Sequence, residues 1–123
     1  MGEDILAVDI GTGRFKLAVF GPDLEPLVQV VRPYEVNVYG RVNADIEPEK
    51  WWDALRRSCA EVADHLSGVG VVSLSVTTPG LTPMRADGMA LGPAILFFDG
   101  RSHAQARMIR ERVGSEYFLG ETC

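Results

Sequence analysis

The sequence predicts an α/β protein, a mixed sheet with helices packed on it. Three observations carry this. Three apolar, β-branched runs follow one another within residues 4–34, separated by turns too short to hold a helix. An amphipathic helical repeat then intervenes before a fourth such run. Short turns make the first three strands an antiparallel meander, and the helical crossover places the fourth parallel to the first.

Each element has a local reason. Residues 4–9, Asp-Ile-Leu-Ala-Val-Asp, suit a buried strand that ends in a carboxylate. Gly11-Thr12-Gly13 is a turn, and residues 15–20 form a second strand that Gly21-Pro22-Asp23 breaks. Residues 27–34 form a third, with Pro33 near its end. Residues 35–46 show no period and read as loop. Glu47-Pro48-Glu49 opens a helix, since proline fits the first turn and acids there suit the macrodipole. Trp51, Trp52, Leu55, Cys59, Val62 and Leu66 recur at spacings of three and four, so the helix runs to about Ser67. That spacing makes both tryptophans core residues rather than sugar-stacking ones. Residues 70–76 form the fourth strand, which Thr77-Thr78-Pro79-Gly80 ends. Segments 81–85 and 93–97 flank Ala86-Asp87-Gly88 as a hairpin. Arg101 to Val113 reads as a second helix stopped by Gly114, and Ser115 to Cys123 carry no strong signal. No repeat or linker interrupts the chain, so residues 1–123 are expected to form one domain.

Composition narrows the function. Hydrophobic residues make up 46% and charged residues 24%, the proportions of a soluble globular protein. A net charge of −5 argues against non-specific nucleic-acid binding and against anionic membranes. No apolar run is long enough to cross a bilayer, and the N-terminus is acidic where a signal peptide is basic. Cys59 and Cys123 form no CxxC pair, and His65 and His103 lack partners at metal-ligand spacing. A reduced, cytoplasmic protein is expected.

The chemistry concentrates at Val8-Asp9-Ile10-Gly11-Thr12-Gly13-Arg14-Phe15-Lys16. Glycines let backbone approach a phosphate closely, and their N–H groups can point into the turn. Thr12 adds a hydroxyl, Arg14 and Lys16 add positive charge, and Asp9 could hold Mg²⁺ directly or through water. The stretch is neither a Walker A loop nor GxGxxG, and no helix follows it. From the residues alone a plain turn capped by Asp9 is the stronger reading, because turns rich in Gly, Asp and Thr are common.

Asp9-Ile10-Gly11-Thr12 with Lys16 resembles the first phosphate motif of the superfamily of acetate kinase, sugar kinases, heat-shock chaperones and actin. Glu47-Pro48-Glu49-Lys50-Trp51-Trp52 is similar to the D-P-x-x-W-W segment of the FGGY carbohydrate kinases. Pro93 to Arg101 resembles their P-A-I-L-W-x-D-x-R. The three motifs stand in the family's order and spacing, with a xylulokinase-like flavour. The resemblance implies an RNase-H-like sheet of the actin-like ATPase superfamily, incomplete relative to the family domain. It implies ATP and Mg²⁺ as cofactors, with Asp9 serving the metal and Gly11, Thr12, Gly13, Arg14 and Lys16 the phosphates. It places Thr78, Gly80, Leu81, Phe97, Asp99 and Arg101 at the sugar.

Departures from the family qualify that expectation. The chain matches about the first half of the family's N-terminal domain. No position matches the catalytic aspartate that takes the proton from the sugar hydroxyl, so no catalytic residue is assigned, and the adenosine pocket is absent. Where relatives carry Q-M-H-G or N-Q-R-E, this chain has Thr78-Pro79-Gly80-Leu81-Thr82. Paired donors and acceptors discriminate sugars, and Leu81 offers none. Asp99 equally suits a cap for the following helix. The expected function is the N-terminal part of an ATP-dependent sugar kinase, inactive in isolation. The expected partners are a sugar or polyol and the remainder of the kinase chain, with a homodimer left open. The alternatives are a non-catalytic nucleotide- or protein-binding module and another actin-like ATPase.

Overall fold

The computed structural model describes residues 3–78, 80–114 and 116–117; Pro79 of the predicted break and Cys123 lie outside them. Strands β1 (Asp4–Ile10), β2 (Arg14–Phe20) and β3 (Pro26–Pro33) form the expected antiparallel meander. β4 (Asn37–Tyr39) and β5 (Asn43–Ile46) follow, then α1 (Pro48–Glu61), a 3₁₀ segment (Ala63–Gly68) and β6 (Val69–Val76). β7 (Ala94–Ile95) and α2 (His103–Val113) complete the order. The main sheet runs β3-β2-β1-β6, with β6 parallel to β1 as predicted.

Period-two alternation explains the core. Leu6 and Val8 of β1, Phe15, Leu17 and Val19 of β2, and Val30 of β3 share one face, closed by Ala54 of α1 and by Val62 just after it. Burying each large apolar side chain there stabilises by about 1.5–3 kcal/mol. Leu17→Ala would cost about 2–5 kcal/mol, because the meander cannot collapse into the hole. Arg32 of β3 ties the same helix down, donating to Ser58 Oγ at 2.9 Å and pairing with Glu61.

Four expectations change. Residues 35–46 are not loop: β4 and β5 pair as a hairpin, turned at Gly40, whose φ of +63° disfavours other residues. The pairs are short, so no periodic run exposed them in the sequence. The helix stops at Glu61 rather than Ser67, and the chain tightens into 3₁₀ winding. Leu66 still packs on the core, so the apolar spacing outlasts the α-helix. Residues 81–85 form no strand; the hairpin survives only as the bridges Leu81–Ile95 and Met84–Ala90. Pro83 and Pro93 donate nothing to a ladder there, and β7 pairs instead with β5 in a second sheet, β4-β5-β7. Trp51 packs on a second core of Ala44, Ile46, Ala94 and Leu96, whereas Trp52 is 62% exposed.

Gly114 ends α2 as expected. The basic side of α2 is exposed, as are His65 and His103. Cys59 packs partly buried against the main core.

Candidate functional site

The turn 11–13 projects from the end of the sheet and is held from three sides. Gly11 N–H donates to the Arg14 carbonyl at 3.0 Å, closing the turn. Tyr34, just beyond β3, donates its hydroxyl to the Gly11 carbonyl and its N–H to the Gly13 carbonyl. Thr12 Oγ1 lies 3.2 Å from Thr77 Oγ1, just beyond β6. A side chain at Gly11 would meet the Arg14 carbonyl at 3.0 Å, whereas the space around Gly13 is open. The space beside Gly13 leaves room for a group to approach the turn from that side, while the Gly11 N–H is held within it.

Asp9 and Lys16 are opposite each other in the β1–β2 register, on the sheet face away from α1. Lys16 Nζ donates to Asp9 Oδ2 at 2.9 Å, with the two side chains 46% and 41% exposed. Arg14 is exposed at the start of β2. No group of three or more His, Cys, Asp or Glu side chains able to hold a metal occurs among the described residues. Asp9 is thus a lone carboxylate at this end of the sheet, with Lys16 as its partner.

A cavity of about 220 Å³ opens beside this turn, lined by Trp51, Thr77, Thr78, Gly80, Leu81 and Phe97 among others. Its walls are mainly apolar, with the threonine hydroxyls and the Trp51 indole N–H as side-chain polar groups of the lining residues. Thr78, Gly80, Leu81 and Phe97 are thus brought together around one cavity.

Asp99 and Arg101 do not line that cavity. Asp99 Oδ2 accepts the Ala44 N–H at 2.6 Å, and Oδ1 accepts the backbone N–H and Nε of Arg101. Arg101 also donates to Asp45 Oδ2 at 2.9 Å and to the Tyr39 hydroxyl. Tyr39 in turn donates to Asp45, as does Asn37. The Asp99 and Asp45 side chains are 1% and 4% exposed. The Arg101 guanidinium, helped by the Ala44 and Arg101 N–H groups and opposed by burial, holds the Asp99 carboxyl down at about 2. Asp45 is lowered first by the Tyr39 hydroxyl and then by Arg101, and the same bond raises Tyr39. The pair clamps the 99–101 loop to the β4–β5 hairpin. The helix cap expected of Asp99 falls instead to Ser102, which makes no side-chain cap bond.

The pattern that describes the FGGY family of carbohydrate kinases, N-terminal domain, matches residues 5–122. The chain belongs to the FGGY family of carbohydrate kinases. Xylulose kinase of Streptomyces rubiginosus is 26% identical over 116 residues, which are 94% of this chain and 21% of that protein. Xylulose kinase of Escherichia coli strain K12 is 26% identical over 110 residues, 88% of this chain and 23% of that one. The crystal structure of xylulose kinase from Rhodospirillum rubrum superposes with a TM-score of 0.87 at 25% identity, covering 94% of this chain and 25% of that one. This FGGY chain therefore spans a quarter or less of these relatives' length, and its sheet is part of the actin-like ATPase fold.

Sequence reasoning missed Tyr34, Tyr39 and Asp45. For Tyr39 and Asp45 the one available cue was Gly40, a turn glycine between the two short segments that carry them. Tyr34 carried none. Its hydroxyl is pushed up by burial, against a smaller downward pull from the Trp51 indole. That indole N–H makes no hydrogen bond within ordinary geometry.

Proposed function

We propose that this chain is the N-terminal part of an ATP-dependent kinase that phosphorylates a hydroxyl of a sugar or polyol. Residues 1–123 would be the first half of its N-terminal domain. The observation that carries the reading is the Asp9–Lys16 pair beside the open side of the Gly11–Gly13 turn, in a chain of this family. Bound Mg²⁺–ATP supplies the phosphoryl group and neutralises charge that develops on it.

The chain's own residues bind and orient. Gly11, Thr12 and Gly13 present a turn that a phosphate can approach, Arg14 and Lys16 add cations, and Asp9 holds the metal. Lys16 must leave Asp9 to reach a phosphate, which is cheap because an exposed pair is worth about 0–1 kcal/mol. Thr78, Gly80, Leu81 and Phe97 line the acceptor's side, and Asp99 and Arg101 hold that wall through the clamp. The proton of the attacking hydroxyl goes to a base supplied by the remainder of the chain. Closure of the two parts excludes water. Use of ATP and the free thiol of Cys59 suit the cytoplasm.

The test is ADP release over a panel of ketoses, pentoses and polyols. The full-length protein is expected to turn over with at least one acceptor, D-xylulose first. The 123-residue chain is expected to show none, since general-base catalysis alone contributes about 10²–10⁴-fold. Sugar-dependent turnover by the short chain would overturn the assignment of roles, and a silent full-length protein would favour a non-catalytic module.

A further inference from the structure

Thr77 is where the phosphate turn and the cavity meet. Its N–H donates to the Ile10 carbonyl at 2.8 Å, adding a rung beyond the β1–β6 ladder. That rung fixes its hydroxyl 3.2 Å from the Thr12 hydroxyl at the tip of the turn. The same residue lines the 220 Å³ cavity. One residue therefore touches both places where a kinase must hold its two substrates.

Two hydroxyls sharing one hydrogen bond have one donor and one acceptor. When Thr12 donates to Thr77, the Thr12 proton is used and cannot reach a phosphate. When Thr77 donates to Thr12, the Thr12 proton is free to point out of the turn. Thr77 Oγ1 can accept two bonds, but a hydroxyl in the cavity that donates to it makes the Thr77 proton a stronger donor and so favours this second direction. Three hydroxyls then align in series, from acceptor through Thr77 and Thr12 to phosphate, and each bond polarises the next.

We propose that Thr77 is a positioning residue that couples the two sites: an acceptor hydroxyl in the cavity turns the Thr12 hydroxyl towards the nucleotide phosphates. This rests on the kinase reading above. The coupling is reciprocal, so nucleotide must tighten acceptor by the same factor. A bond that merely staples the turn would change nucleotide affinity equally with and without acceptor.

The experiment is calorimetry on the full-length protein. The Kd of a non-hydrolysable Mg²⁺–ATP analogue is measured without and with saturating D-xylulose, or the best acceptor from the panel. Wild type is expected to tighten about fivefold or more, within the usual range of coupling between sites. Thr77→Val, which keeps the shape and loses the hydroxyl, should bring the ratio to within about twofold of unity, and Thr77→Ser should restore it. Thr12→Val should abolish the ratio from the other side, which keeps the test decisive if Thr77→Val fails to fold. A wild-type ratio of one overturns the proposal. So does a Thr77→Val protein that keeps the ratio or loses affinity equally in both conditions. Loss of the kinase reading is seen separately, as absent ADP release from a wild type whose analogue binding still responds to the sugar.

Discussion

Two acid–base pairs in this molecule look alike in sequence and differ in every physical respect. Asp9–Lys16 is a single 2.9 Å bond between side chains that are nearly half exposed. Arg101 joins Asp99 and Asp45, whose side chains are almost wholly buried, and those carboxylates are bonded further to Ala44 N–H, Tyr39 and Asn37. An exposed pair contributes little and can be exchanged for a ligand. A carboxylate whose lone pairs are already taken, out of water, gains nothing by turning to a sugar and loses its own partners in doing so. Lightly held charge therefore suits the pair proposed to meet ligands, and full satisfaction suits a structural clamp.

The sharpest break of that comparison is Asp9→Asn in the full-length protein. Loss of the metal-holding charge should lower kcat by about 10³-fold, equivalent to about 4 kcal/mol of transition-state stabilisation. The melting temperature should stay near wild type, because the lost pair is exposed. Steady-state kinetics beside a thermal melt check both, and near-normal kcat in a folded protein would reduce the turn to a turn. Asp45→Ala should do the reverse. It leaves the Tyr39 hydroxyl, the Asn37 amide and one Arg101 arm without their partner, costing about 1–3 kcal/mol of folding stability in chemical denaturation. The nucleotide-analogue Kd should not move. Lys16→Ala comes next: the analogue should bind about tenfold more weakly, one cation among several donors, with stability changed by less than about 1 kcal/mol.

How far the sequence reaches can be judged from the same residues. The meander, the crossover and the parallel fourth strand were legible, because seven- and eight-residue strands with long apolar stretches dominate their own local signal. β4 and β5, of three and four residues, and the two-residue β7 were not, since their pairing is set by contacts across the chain. Asp9, the glycines and Lys16 were legible because they are neighbours in sequence. The roles of Asp99 and Arg101 were not, because their deciding partners, Ala44, Asp45 and Tyr39, lie more than fifty residues upstream. Trp51 and Trp52 share one helical stripe in the sequence, yet only the former meets the second core. β6 and α2 mark another boundary. Val71, Val72, Leu74, Val76, Met108, Ile109 and Val113 are apolar and exposed, so here the apolar pattern marks an element without marking a buried face.

The smallest expected effect distinguishes the two pairs by acid. Asp99 titrates at about 2 in the folded protein against an ordinary 3.8, and Asp45 is lowered in the same direction. A carboxylate lowered on folding binds fewer protons folded than unfolded, so it favours the folded state wherever both forms are ionised. The clamp's contribution is therefore complete above the ordinary carboxylate range and is lost as pH falls from 3.8 towards about 2. Denaturant midpoints measured from pH 6 to pH 2.5 should fall across the lower part of that range. Asp45→Ala removes one carboxylate and weakens the hold on Arg101, so its curve should start lower and fall less steeply. Asp9→Asn should track the wild-type slope, because it leaves the clamp intact. An Asp45→Ala curve parallel to wild type throughout would show that acid unfolds the protein at other carboxylates, and that the clamp is less committed than its geometry indicates.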